Sequence, residues 1–343
     1  MIVDSCRHPE TQQPVALQYL KSINVDPACA VKLVVISHWH DDHVAGMTEV
    51  VDTCKNARVA FSGALANDEF LRLVATYAQP NLILDRGKSG VHEMSRVLSI
   101  LKDRKKKPLQ GQNSPPHRLC APDQLLYKSK TATCEVISLS PSDEAVTRAL
   151  TEFGNLQPKV NTDRVRITSP ERNHSAVVLW VKFNSIRALL GADLQETADT
   201  YTGWSAVLKS VVLPDGKATV FKIPHHGSAN AHSDDVWFQL IDKEKPIAIM
   251  TTYNRGKTPL PRDTDIERIL QKTDRTYSTT VPKAAAPRRL NVVDKMLNEV
   301  VKNRRTINRA TGHIRVRMSP PCAPSVDLYG YATQLSLPAN LIC

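Results

Sequence analysis

His38, His40, Asp42 and His43 stand within six residues of one another, in a chain of 343 residues that holds only 11 histidines. Imidazole nitrogens and carboxylate oxygens packed this densely, with a further carboxylate at Asp41, are the donors that divalent cations take. Alternation along an extended chain puts His38 and His40 on the same side, so both can reach one cation. Asp42 and His43 follow where the chain turns and can reach a second cation a few ångströms away. Two later stretches repeat the theme. Gly191-Ala192-Asp193 places a carboxylate directly after an apolar run, where it is costly unless it meets a cation. Ile223-Pro-His225-His226-Gly227-Ser228 delivers two adjacent imidazoles, with a glycine that allows close backbone approach. One of His225 and His226 is expected to be a ligand, with His226 preferred. The other is free to hydrogen-bond a substrate oxygen or to act as an acid.

Each of these groups sits at the end of a predicted strand. Val31 to Ile36 is a short β-branched apolar run of the kind buried on both faces. Ser175–Lys182 and Ile186–Leu190 read as a hairpin through Phe183-Asn184-Ser185 and end at Asp193. Thr219–Ile223 ends at the histidine pair. Open α/β sheets place their chemistry just beyond the carboxyl ends of their strands, so this pattern predicts one site assembled from several strand ends. Around these strands, helices are expected at 14–24, 47–54, 67–77, 91–107, 142–153, 195–209 and 263–272. Further strands are expected at 58–62, 134–139 and 246–250. Residues 108–123 have the composition of an exposed loop. Ser142, with Asp143 behind it, reads as a helix cap without chemistry. His92 and His232 read as surface histidines.

The run His38-x-His40-x-Asp42-His43, following an apolar strand and preceding Gly46 and a helix, resembles the signature of the metallo-β-lactamase fold. That resemblance implies an α/β architecture, a four-layer αββα sandwich with mixed sheets, and a one- or two-metal hydrolytic site at one edge. It implies that His38 and His40 hold one metal and that Asp42, His43 and His225 or His226 hold the other. Asp193 falls where the family places its bridging carboxylate, and Asp4 where it places a supporting one after the first strand. His174 lies in the region of the family's third ligand to the first metal, though closer to the strand than that motif, and Glu171 falls nearer the usual slot. Relatives usually carry a strand pair ahead of the position of Asp4, and its absence here predicts an unpaired sheet edge. The pairing of Leu-Leu-Gly-Ala-Asp193 with Ile-Pro-His-His-Gly-Ser228 is similar more narrowly to the hydrolase domain of the ComEC-type DNA-uptake competence protein and its stand-alone relatives. The order of a strand at 246–250, Asn254-Arg-Gly, Pro259, Pro261 and a closing Thr311–Arg317 segment follows the same unit. In that frame Ser228 and Asn254 are candidate substrate contacts, and Asp42, His225 and His226 are candidate catalytic residues.

Residues 1–281 are read as the hydrolase domain, 282–318 as a linker, a basic amphipathic helix and a closing strand, and 319–343 as a tail. The net charge of +11, from 45 Lys+Arg against 34 Asp+Glu, favours a polyanionic partner such as nucleic acid. No run approaches 18 apolar residues and the first residues lack a leader pattern, so no membrane span and a cytoplasmic location are expected. The seven cysteines show no framework or Cys-x-x-Cys spacing, which predicts free thiols. Imidazole and carboxylate without a soft ligand suit two zinc ions, with manganese as the alternative. Such a pair lowers the pKa of a shared water from about 15.7 towards about 7, giving hydroxide for attack on phosphorus. The expected activity is therefore that of a phosphodiesterase or nuclease. The alternatives are a small-molecule ester, lactone or amide hydrolase, and a degraded, non-catalytic nucleic-acid-binding subunit.

Overall fold

Leu33–Ile36, apolar on both sides, is the inner strand of a small sheet, with all four residues at 1% exposure or less. It is β2, flanked by β1 (Ile2–Val3) and β3 (Arg58–Ser62), and β4 (Arg118–Cys120) lies beyond β3. All three pairings are parallel, which suits a sheet buried on both faces. The computed structural model describes residues 1–77, 90–106, 115–130, 134–157, 173–197, 199–210, 213–253, 258–282, 311–318 and 324–336.

A second sheet has eight strands. In chain order they are β5 (Gln124–Lys128), β6 (Cys134–Ser138), β7 (Leu179–Phe183), β8 (Ile186–Leu190), β9 (Val220–Lys222), β10 (Ile247–Met250) and β11 (Thr276–Ser278). A hairpin of β12 (Gly312–Arg317) and β13 (Ser325–Gly330) follows, and β14 (Thr333–Gln334) closes the edge beside β11. β5 to β8 form an antiparallel meander, and β8 to β11 run parallel. The register Leu190↔Lys222 and Lys222↔Ile249 brings the carboxyl ends of β8, β9 and β10 level with one another.

The two sheets pack face to face through Leu33, Val35, Ala60 and Cys120 on one side and Leu126, Val136 and Leu179 on the other. The outer face of the small sheet (Val34, Ile36, Phe61) buries Val50, Phe70, Met94 and Phe153 from the helices Met47–Thr53, Asp68–Tyr77, Gly90–Lys106 and Asp143–Asn155. The outer face of the large sheet (Trp180, Phe221, Met250) buries Trp204, Val236 and Ile269 from Gly203–Leu208, Asp234–Gln239 and Asp263–Leu270. The architecture is thus α/β, with helices outside two packed sheets, one parallel and one mixed, an order compatible with the expected sandwich. Where the small sheet ends, the β12–β13 hairpin covers β9–β11, with Ile314, Val316 and Val326 against Val220, Ile247 and Tyr277. Among the described residues no helix is long and apolar enough to cross a membrane.

Several expectations differ from what forms. The helix foreseen over 195–209 is confined to Gly203–Leu208, because the residues before it use their side chains locally. Thr197 Oγ1 meets Thr202 Oγ1 at 2.6 Å, and the Asp199 carboxylate accepts from Tyr201 N at 2.8 Å, bonds that compete with a helical ladder. Ser175–Val178 stays outside the ladder of β7, and Val177 N instead donates to Ser37 O at 2.9 Å, tying this segment to the small sheet. In the stretch read as a loop, Arg118–Cys120 pairs with β3 and Cys120 is buried. In the stretch read as a tail, β13 and β14 are both paired. β1, only two residues long, is the outermost strand of the small sheet among the described residues and pairs with β2. Glu171, the foreseen linker and the helix at 290–308 lie outside the described residues, apart from the linker's first residues. The five described cysteines are all free, and burial pushes Cys54 up to about 11 and Cys120 up to about 12.

Candidate metal centre

β2 hands its chain directly to His38, and the turn Asp41–Val44 carries Asp42 and His43 back across the strand end. Asp193 follows shortly after the end of β8, and His225 and His226 after the end of β9, so both sheets deliver donors to the same seam. Three groups of side chains have ligand atoms close enough to share an ion: His38, His40 and Asp193; Asp42, His43 and His226; and Asp4, His38 and His43. Six of the residues expected in the site (His38, His40, Asp42, His43, Asp193 and His226) therefore come together from positions as far apart as 38 and 226.

Their spacing is that of ligands. Two donors on one tetrahedral cation, each about 2.0–2.1 Å from it, stand about 3.3 Å apart. His43 Nε2 is 3.4 Å from Asp193 Oδ1 and 3.8 Å from Asp42 Oδ2. His226 Nε2 is 3.5 Å from Asp193 Oδ2 and 3.7 Å from Asp42 Oδ2. His38 Nε2 faces His40 Nδ1 at 3.0 Å. Asp193 is 2% exposed, yet its Oδ1 makes no hydrogen bond among the described residues. A buried carboxylate with one oxygen outside any hydrogen bond, facing His43 Nε2 through Oδ1 and His226 Nε2 through Oδ2, with Lys222 Nζ 3.9 Å from Oδ1, fits a cation position. The donor set contains no thiolate.

In three of the candidate ligand imidazoles, His43, His38 and His226, the second nitrogen is held from behind. His43 Nδ1 meets Asp4 Oδ2 at 2.8 Å, and Asp4 also accepts from Ser37 N and Ser37 Oγ, each at 2.7 Å. His38 Nδ1 meets Ser37 Oγ at 3.0 Å, and His226 Nδ1 meets Thr251 Oγ1 at 2.9 Å. These bonds leave the other nitrogen pointing into the site, the usual arrangement behind a metal-binding histidine. Tyr253 stacks on the His226 ring at 5.2 Å. The backbone is bent to suit: Asp4, Ala192, His225 and His226 all have left-handed φ, of 57°, 45°, 44° and 55°. A non-glycine residue held there costs about 1–3 kcal/mol, and such residues cluster at functional sites.

The charges are strongly coupled. Burial would raise Asp193, but His43 and His226 outweigh it and hold its carboxyl well below the usual range. Burial would likewise raise Asp42, and the hydrogen bond from His226 and the charge of His43 bring it down instead. Burial would lower His43, but the Asp193 and Asp4 carboxylates lift it well above the ordinary histidine value. His38 goes the other way, lowered by burial and by its neighbours His43 and His40, so it remains a neutral donor.

The remaining candidates are placed apart from these groups. His225 is adjacent, its ring centroid 6.0 Å from that of His226, with Nδ1 3.1 Å from Asn230 Oδ1 and Nε2 3.4 Å from Asn173 Nδ2. Ser228 is buried behind the same turn, lining a cavity with Trp204, Phe221 and Trp237. His174 is half-buried and belongs to none of the three groups. His92 is half-buried, and His232 is partly buried, 3.2 Å from Asp234 Oδ1. Asn254 lies outside the described residues. Sequence reasoning did not single out Asn173, Asn230, Thr251 or Tyr253; Thr251 had a signal, since it directly follows a strand parallel to those ending at Asp193 and His225. No protein-family model matches the chain, and no curated protein matches it.

Proposed function

We propose that the chain is a metal-dependent hydrolase of the metallo-β-lactamase fold, acting as a phosphodiesterase or nuclease on nucleic acid. The observation that carries this reading is the convergence of donors from two sheets on the buried Asp193 carboxylate, His43 at Oδ1 and His226 at Oδ2, at ligand-to-ligand spacing. The order of packed layers and the resemblance of the His38–His43 run agree with it, and the charge of +11 favours a phosphate-bearing substrate. Zinc suits these donors, with manganese as the alternative.

In this reading His38, His40 and Asp193 hold one cation and Asp42, His43, His226 and Asp193 the other. Cations bound there supply Lewis acidity towards phosphate oxygens and make water ionisable near neutral pH. The protein supplies the rest. Asp4, Ser37 and Thr251 fix the rings so that no reorganisation is needed during reaction. His225, which burial keeps neutral, is held beside the site by Asn230 at Nδ1 and Asn173 at Nε2.

The test is incubation of metal-stripped protein with labelled single- and double-stranded DNA and RNA, with and without added zinc or manganese. Metal-dependent cleavage that Asp42→Ala/His43→Ala removes is the expected result. Turnover of a lactone, ester or amide in its place would overturn the nuclease assignment, as would salt-sensitive binding with no cleavage of any substrate.

A further inference from the structure

The β12–β13 hairpin turns one face to the large sheet and the other away from it. Alternation along β12 packs Ile314 and Val316 on the sheet and sets His313, Arg315 and Arg317 on the opposite face. Register adds Tyr329 opposite His313 and Asp327 opposite Arg315. Asp327, however, is bonded to Arg317. Arg315 forms no ion pair among the described residues, and its Nε has no hydrogen-bond partner there. Rings hold it instead. Its guanidinium carbon lies 4.9 Å from the centre of the Tyr329 ring and 5.5 Å from that of Tyr19.

The rings remain open to solvent. His313 and Tyr329 stack with centroids 4.2 Å apart and planes 9° from parallel, and Tyr19 meets His313 edge-on at 5.8 Å. His313 is nevertheless exposed, Tyr329 is 36% exposed, and Tyr331, just after the strand, is 53% exposed. The group also adjoins the candidate centre from both sheets. Gly312 packs so closely on the end of β11 that a Cβ there would lie 2.6 Å from Thr279 O. Thr279 N donates to Met250 O at 3.1 Å, and the next residue, Thr251, holds His226. Tyr19 lies on the helix Val15–Ser22, whose first amide donates to Cys6 O at 3.0 Å, two residues after the Asp4 that holds His43. An arginine without a carboxylate, set among open rings beside the centre, has the elements that grip a single strand: ring faces for bases and a cation for phosphate.

We propose that Tyr19, His313, Arg315 and Tyr329 bind unpaired nucleic acid beside the metal centre, the rings stacking on bases and Arg315 pairing with a phosphate. This rests on the nuclease reading above for the class of partner and deepens it, because it selects single strands over duplex. Bases in a duplex are already stacked on their neighbours and offer no free face, whereas unpaired bases do. A planar guanidinium held against two rings can meet a phosphate with two parallel N–H donors.

The experiment is fluorescence anisotropy of a labelled oligothymidine strand, and of a labelled DNA duplex of the same length, with full-length protein in EDTA so that binding is read without cleavage. The wild type is expected to bind the strand more tightly than the duplex. Tyr329→Leu should weaken binding of the strand by roughly 5- to 150-fold, the loss of one stacked base, and leave the duplex unchanged. Arg315→Gln should reduce the slope of log affinity against log salt by about 0.7, the loss of one phosphate contact on a single strand. Arg315→Lys keeps the charge but not the planar fork, so it should keep the slope and bind less tightly, and this arm stands even if another variant does not fold. Melting temperatures show which variants are folded. Equal affinity for strand and duplex overturns the proposal, as does wild-type affinity for the strand in folded Tyr329→Leu and Arg315→Gln. Displacement of the strand by polyglutamate at equal charge concentration also overturns it, marking the face as one for acidic protein. Cleavage of nucleic acid by a protein whose variants bind unchanged overturns this surface alone. The expected losses in a protein that cleaves nothing once zinc or manganese is restored uphold the surface and overturn the nuclease reading alone.

Discussion

His43 and His226 occupy matching positions in the two sheets, and each is oriented by the parallel strand next door. Asp4 follows β1, the neighbour of β2, and holds His43; Thr251 follows β10, the neighbour of β9, and holds His226. The geometry is the same and the chemistry is not. A carboxylate that accepts three hydrogen bonds makes His43 a stronger base and a fixed donor. A hydroxyl fixes the ring of His226 without adding charge. The small sheet therefore provides the electrostatically committed half of the site, and the large sheet provides the half fixed by neutral contacts. Asp193 and Asp42 both face the two imidazoles, and Asp193, the nearer and more deeply buried, is where the comparison is most easily broken.

Replacing Asp193 by Ala should have the largest effect. His43 Nε2 loses Asp193 Oδ1 and His226 Nε2 loses Oδ2, which leaves Asp42 as the carboxylate near both. Cation affinity is expected to fall by more than the roughly 10–100-fold that loss of an outer partner costs. Calorimetric titration of the metal-stripped variant reads this directly, and near-wild-type binding would show that the two halves hold their ions separately.

The next effect concerns pH, and its sign depends on the cation. Without metal, Asp42 and Asp193 contribute stability above the ordinary carboxylate value of 3.8 and lose it as the pH falls towards their depressed folded values. Protonated His43 contributes fully below the ordinary histidine value of 6.5, and that contribution disappears as the pH rises through its elevated folded value. His38 and His225, lowered by burial, contribute stability that is lost as the pH falls below 6.5, so metal-stripped protein should melt at the highest temperature near the upper end of the range from about pH 4 to 6.5, with declines on both sides. A bound divalent cation takes the place of the His43 proton, so with excess metal the alkaline decline should vanish and the melting temperature should rise with pH instead. Parallel alkaline limbs with and without metal, in thermal melts across the range, would show that no cation enters at His43.

Much of this centre was legible because its donors are crowded in sequence. His38 to His43 stand at the end of an apolar strand, and Asp193 and the 225–226 pair repeat that arrangement, so strand reading and donor reading pointed the same way. Of the supporting residues, Asp4 and Thr251 also follow strands, whereas Asn173 and Asn230 had no such signal. Asn173 and Asn230 lie in turns where a polar residue is ordinary, and only the fold shows that one is buried with an oxygen left over. The same limit applies to the architecture. Arg58–Ser62, Gly90–Lys106 and Asp143–Asn155 have enough length for their period to register. Arg118–Cys120 and Thr333–Gln334 are too short for any period, and their pairing comes from neighbours distant in sequence.

The difference between the two outer partners gives the finest test. Asp4→Asn keeps the shape but removes the charge behind His43, and should weaken cation binding by about 10–100-fold. Thr251→Val keeps the shape but removes a neutral hydrogen bond, which contributes about 1 kcal/mol, or about fivefold. The ordering matters more than either value. If the halves of the site differ as the carboxylate and hydroxyl imply, Asp4→Asn also lowers the pH at which binding is half-maximal, because His43 gives up its proton more readily once that charge is gone. Thr251→Val should leave that midpoint in place while lowering affinity at every pH. Equal shifts in both variants would mean that the strand-end partners act only by holding rings in position, with charge contributing nothing further.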